Sequence, residues 1–82
     1  MALVLLGTLG CHLCEDAQAL LLALQGQIKT DVFVDDIAES DELVARYGIR
    51  IPVLQHEESG AELDWPFDRD TLQQWLIKHD CI

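Results

Sequence analysis

The chain has 82 residues, half of them apolar, enough for one small two-layer domain and too apolar for a disordered chain. Fifteen acids against five bases leave a net charge of −10, which argues against nucleic acid as a partner, since phosphate contacts need clustered Lys and Arg. Three cysteines cannot complete a paired disulfide framework, and no run approaches membrane-spanning length.

Leu3 to Leu6 is an apolar run that predicts a buried strand, and Gly7 to Gly10 predicts a turn. Met1 to Leu6 lacks a basic flank and is too short for a secretion signal with its cleavage site. A reducing cytoplasm is therefore expected, where a C-x-x-C is catalytic or metal-binding rather than structural. Cys11-His12-Leu13-Cys14 then opens a helix. Leu13, Ala17, Leu20, Leu21 and Leu24 recur at helical spacing as far as Gly26.

That junction carries the chemistry. A cysteine at a helix N-terminus meets unpaired backbone N–H groups and the positive end of the helix dipole, which favour its thiolate. Cys11 is the expected nucleophile, and Cys14, one turn on and more buried, the resolving thiol. The bland alternative is two ordinary core cysteines. His12 and Leu13 lie between them; a cationic imidazole at His12 would stabilise the thiolate, whereas a solvent-facing one would do little.

Ile28 to Val34 predicts a second strand around Val32-Phe33-Val34, ended by Asp35-Asp36. Strand, helix and strand make a βαβ unit, implying parallel pairing and a right-handed crossover. Ser40 or a neighbouring acid caps a short helix through Leu43, Val44 and Tyr47, closed by Gly48. The acids between 35 and 42 read as a solvated loop and a helix start. Ile49 to Gln55 and Ala61 to Trp65 predict two strands joined by a hairpin at residues 57–60. Asp68 caps the last helix, with Leu72, Trp75, Leu76 and His79 facing inward. The expected fold is one α/β domain over residues 1–82, in the order βαβ, α, ββ, α. It is a mixed four-stranded sheet with helices on both faces.

Ile51-Pro52 places a proline where a strand begins, a position that tolerates the lost N–H donor. Here the motifs converge. Cys11-His12-Leu13-Cys14, the run Tyr47-Gly48-Ile49-Arg50-Ile51-Pro52-Val53-Leu54 and Trp65-Pro66-Phe67 together resemble the small bacterial glutaredoxin-like proteins of the thioredoxin superfamily. The match covers nearly the whole chain in order and spacing. It implies a thioredoxin-like fold with a cis Pro52 beside the C-x-x-C. It also implies that the backbone of Ile51 pairs with bound peptide or glutathione, and that Thr8, Leu9 and Gly10 shape the rim beside Cys11.

Some positions depart from the glutathione-using members. Those usually carry Pro-Tyr between the cysteines, a Gly-Gly pair before the polar residues that hold the γ-glutamyl end, and a Lys or Arg shortly before the motif. This chain has His12-Leu13, Trp65-Pro66-Phe67-Asp68, and Thr8-Leu9 at those places. Pro66 lacks an N–H to donate. Phe67 and Asp68 remain candidate substrate contacts, Phe67 together with Trp65 as a groove for apolar peptide. Arg50 either meets a substrate carboxylate or simply offsets nearby acids.

The expected activity is thiol–disulfide exchange on disulfide-containing or glutathionylated proteins, by a cytoplasmic monomer that touches neither membrane nor nucleic acid. No tightly bound cofactor is expected, and glutathione or a protein reductase would reset the pair. The rival is an iron–sulfur or zinc carrier using the same thiols. One such set would join Cys11 and Cys14 with His79 and Cys81, although Cys81 reads more simply as a frayed, reactive tail thiol. The acidity keeps a small protein soluble, or else favours basic protein partners.

Overall fold

β1 (Ala2–Gly7) is buried at every position and lies inside a four-stranded sheet of order β2-β1-β3-β4. The computed structural model describes residues 2–82. After β1 come α1 (His12–Ala23), β2 (Asp31–Asp36), a 3-10 turn (Ile37–Glu39), α2 (Asp41–Tyr47), β3 (Val53–His56), β4 (Glu62–Asp64) and α3 (Arg69–Lys78). β1 and β2 are parallel, while β1–β3 and β3–β4 are antiparallel. This is the mixed α/β sheet that the pattern of elements predicts.

The alternation along β1 decides which helix covers which face. Leu3 and Leu5 point into a core with Ala17 and Leu21 of α1, Leu54 of β3, and Leu72 and Leu76 of α3. Val4 and Leu6 point the other way, onto Ile37, Tyr47 and Val53. α1 and α3 therefore cover one face, and α2 the other. Truncating a fully buried leucine such as Leu54 or Leu72 to alanine costs about 2–5 kcal/mol in cores of this kind.

Several boundaries fall inside the expected ones. α1 stops at Ala23, because Leu24 N–H is shared between Leu20 O and Leu21 O and the chain tightens into i→i−3 turns before Gly26. Ile28 and Lys29 are not strand: their N–H groups bond Leu24 O and Cys81 O, so β2 begins at Asp31. Asp35 and Asp36 belong to β2, opposite Leu6 and Gly7. Residues 49–52 wrap the end of α2 instead, with Arg50 N–H and Ile51 N–H both bonding Tyr47 O. The caps stand where the sequence puts them, Ser40 Oγ accepting from Leu43 N–H and Asp68 Oδ1 from Thr71 N–H.

Candidate active site

Cys11 is the N-cap of α1, in extended conformation at φ −90° and ψ 106°. Its carbonyl accepts the Glu15 N–H, and its Sγ accepts the Cys14 N–H at 3.2 Å. Cys11 and Cys14 are joined as a disulfide across a Cα–Cα distance of 5.2 Å. Cys11 is half-buried and Cys14 buried, so solvent and substrate reach the first sulfur more readily.

Two glycines let the motif close. Gly10 takes φ +78°, which turns the chain from β1 into the cap and which side chains with a Cβ rarely adopt. At Gly7 an added Cβ would lie 3.0 Å from Cys14 Sγ. The bare backbone of β1 is what admits Cys14. This contact was not read from the sequence, because it joins strand to helix across a turn. The apolar run ending in a glycine seven residues before Cys14 is its only trace.

The same end of the sheet gathers the proline segment. Extending the β1–β3 register one step beyond the Leu6–Val53 pair sets Pro52 opposite Gly7. Trp65 N–H donates to Pro52 O at 3.3 Å, and the bonds before Pro52 and Pro66 are both cis. Arg50 Nη2 donates to Glu62 Oε1 and Asp64 Oδ1, each at 2.8 Å. The Tyr47 hydroxyl donates to the other Glu62 oxygen at 2.5 Å. These bonds tie the 48–52 segment to β4. The hydroxyl and then Arg50 hold the Glu62 carboxyl below its usual range, and the same contact raises the Tyr47 phenol.

A redox-type thiol pair on such a scaffold has relatives. The model of the glutaredoxin-like domain (DUF836) matches residues 2–77. The chain belongs to this family. Among solved structures, the X-ray structure of protein XcR50 from X. campestris superimposes with a TM-score of 0.82 at 37% identity, over 93% of this chain and 96% of that one. The solution structure of the same target gives 0.75 at 40% identity, over 95% of each. Protein Ne2328 from Nitrosomonas europaea gives 0.75 at 33% identity, over 90% of this chain and 88% of that one. No curated protein matches the chain.

Within this glutaredoxin-like domain, the expected substrate contacts are divided between surface and interior. Leu13 is 47% exposed beside the disulfide, and the His12 side chain stands in solvent, its Nδ1 3.6 Å from Glu15 Oε2. Ile51 is half-buried and Pro52 buried. Arg50 is already occupied by Glu62 and Asp64. Phe67 lies in the core and meets Trp65 edge-on at 4.9 Å, which leaves the half-buried Trp65 as the more accessible ring. Asp68 spends its carboxylate on the start of α3, and the Thr71 N–H lowers its pKa.

Cys81 is a correction. It is not a frayed tail thiol: the chain after α3 folds back, Cys81 N–H bonds Leu76 O, and the side chain is 1% exposed in the core. Burial, then the nearby Asp80, raises its thiol pKa, opposing reactivity. Among the described residues, no group of three or more His, Cys, Asp or Glu side chains is placed to hold a metal. Cys11, Cys14, His79 and Cys81 are thus not brought together. No helix among the described residues is long and apolar enough to cross a membrane.

Proposed function

We propose that the protein is a thiol–disulfide oxidoreductase that reduces disulfide-containing or glutathionylated proteins. The observation that carries this is the position of Cys11: an accessible sulfur at the first turn of α1, accepting the Cys14 N–H and bonded to Cys14 itself. In the reduced protein the Cys11 thiolate attacks one sulfur of the substrate disulfide, and the other sulfur leaves as a thiolate and takes a proton. The Cys14 thiolate then attacks Cys11 Sγ and expels the second substrate thiol. Two electrons pass to the substrate, and Cys11–Cys14 is left oxidised for glutathione or a protein reductase to reset.

Leu13, the Ile51 backbone and Trp65 would frame the bound substrate, with His12 at its solvent edge. A glutathione pocket of the γ-glutamyl-binding kind has weak support, since Pro66 has no N–H, Phe67 is packed inside and Asp68 is committed to α3. We place the protein in the cytoplasm as a monomer needing no bound cofactor.

The test is steady-state reduction of a glutathionylated peptide by glutathione, coupled to glutathione reductase. Cys11→Ser abolishes turnover, while Cys14→Ser retains the monothiol reaction in which glutathione itself resolves the mixed disulfide. Equal loss in both variants would count against the roles given to the two thiols. No turnover with glutathione, but cycling of the pair under dithiothreitol, would assign the protein to protein disulfides and another reductase.

A further inference from the structure

We propose that the free edge of β2, with the groove between it and α1, docks a basic-flanked apolar segment of the substrate protein as an added strand. The inference rests on the oxidoreductase reading and names its substrate class.

β2 is an edge strand, and its centre is apolar and open: Val32 is 38% exposed, Phe33 54% and Val34 56%. Edge strands are normally blunted by central charges, proline or a bulge, because their unpaired N–H and C=O groups invite another strand. The register with β1 sets Val32 and Val34 on the face of Leu3 and Leu5, beside α1, and Phe33 on the opposite face. A strand laid against β2 therefore meets apolar side chains on both sides, the pattern of β-strand addition.

The groove leads towards Cys14, one turn along α1 from Cys11. A hollow of about 430 Å³ is lined by Leu21, Leu22, Ile28, Val32 and Val34 among others. A second hollow of about 240 Å³ is lined by Leu9, Gly10, Gly7 and Cys14. Gln18 and Val34 line both, so the two adjoin. A segment of about six extended residues, roughly 20 Å long, spans β2 and carries a following cysteine towards the Cys11–Cys14 end.

Charge selects the occupant. Glu15, Asp31, Asp35 and Asp36 line the two hollows, and no Lys or Arg does. Two central antiparallel registers fit a second copy poorly: pairing Phe33 with Phe33 sets Asp31 opposite Asp35, and pairing it with Val34 sets Asp31 opposite Asp36. Like charges directly opposite one another are destabilising. A segment with Lys or Arg flanking a Val- or Ile-rich centre meets the opposite charges instead.

Once the segment is docked, the same thiol–disulfide exchange follows. Cys11 thiolate bonds to the peptide's cysteine sulfur, glutathione leaves as its thiol, and Cys14 then releases the peptide thiol as Cys11–Cys14 forms. Dithiothreitol restores the dithiol.

The probe is the peptide Lys-Val-Thr-Val-Lys-Gly-Cys as its mixed disulfide with glutathione. It is compared with the same peptide carrying Glu for both Lys, and with Gly-Cys alone. Under dithiothreitol, kcat/KM is expected to be about tenfold higher for the basic than for the acidic peptide. In Asp31→Asn/Asp35→Asn that ratio falls by roughly threefold or more, as the loss of two exposed charge pairs implies. Equal rates on all three substrates would overturn docking and leave the oxidoreductase reading intact. Failure on all three would defeat that reading for glutathionylated substrates, and fluorescence anisotropy with a labelled cysteine-free basic peptide then decides docking alone. Absence of binding, or a dimer in sedimentation that Phe33→Lys dissociates, overturns it.

Discussion

The Sγ of Cys11 accepts the Cys14 N–H at 3.2 Å, whereas the His12 ring is exposed to solvent and neighbours Glu15. Stabilisation of a Cys11 thiolate then comes from the backbone and the start of α1, because an exposed imidazole is screened by water and shared with a carboxylate. His12→Ala should leave the thiolate absorbance titration of Cys11 close to that of the native protein. A clear upward displacement would mean that the ring is the effective partner. Gly7 yields a second expectation. A methyl group there crowds Cys14 Sγ from a buried central strand that has no room to retreat. Gly7→Ala should destabilise the protein by about 1–3 kcal/mol, the usual cost of overpacking. It should also slow closure of the Cys11–Cys14 bond, followed by thiol trapping. Cys11 and Cys14 were legible because their spacing and helix-start setting are local. Gly7 and the burial of Cys81 were not, since each depends on a contact or fold-back that spacing does not encode.

At the scale of elements, the segment leading into Pro52 is held by α2 on one side and β4 on the other. Glu62 is the link, taking one hydrogen bond from Tyr47 and one from Arg50. Tyr47→Phe removes a bond from a buried ring while keeping its packing, and should cost about 1 kcal/mol in urea unfolding. Acid provides an independent check. Because Glu62 has a folded pKa below its unfolded one, its contribution is fully present above the ordinary carboxylate range. It is lost as pH falls through the depressed value. Glu62→Gln should therefore flatten the acid limb of the stability profile, and an unchanged limb would show that the tie is not stabilising. The order and type of all seven main elements followed from periodicity and caps. Their ends did not, because Ile28, Lys29, Arg50 and Ile51 lie in strand-like sequences but spend their backbone N–H groups on helix ends and on Cys81. The same limit applied to Arg50, whose partners Glu62 and Asp64 lie on another strand and share a face only once β4 is formed.

For the molecule as a whole, the net charge of −10 sets two effects in opposition. Screening weakens the attraction of Arg50 for Glu62 and Asp64, but it also weakens the mutual repulsion of fifteen acids spread over a radius of gyration of 11.9 Å. At 0.15 M salt the Debye length is about 8 Å, so much of that repulsion acts at distances that added salt suppresses. The Arg50 pairs are in direct contact and partly shielded by Tyr47, and they respond less. Repulsion should therefore dominate. Raising sodium chloride from 20 to 500 mM (about a fivefold shortening of the Debye length) should raise the thermal midpoint by a few degrees. A falling midpoint would mean that the tie between the Pro52 segment and β4 outweighs the charge of the rest of the molecule.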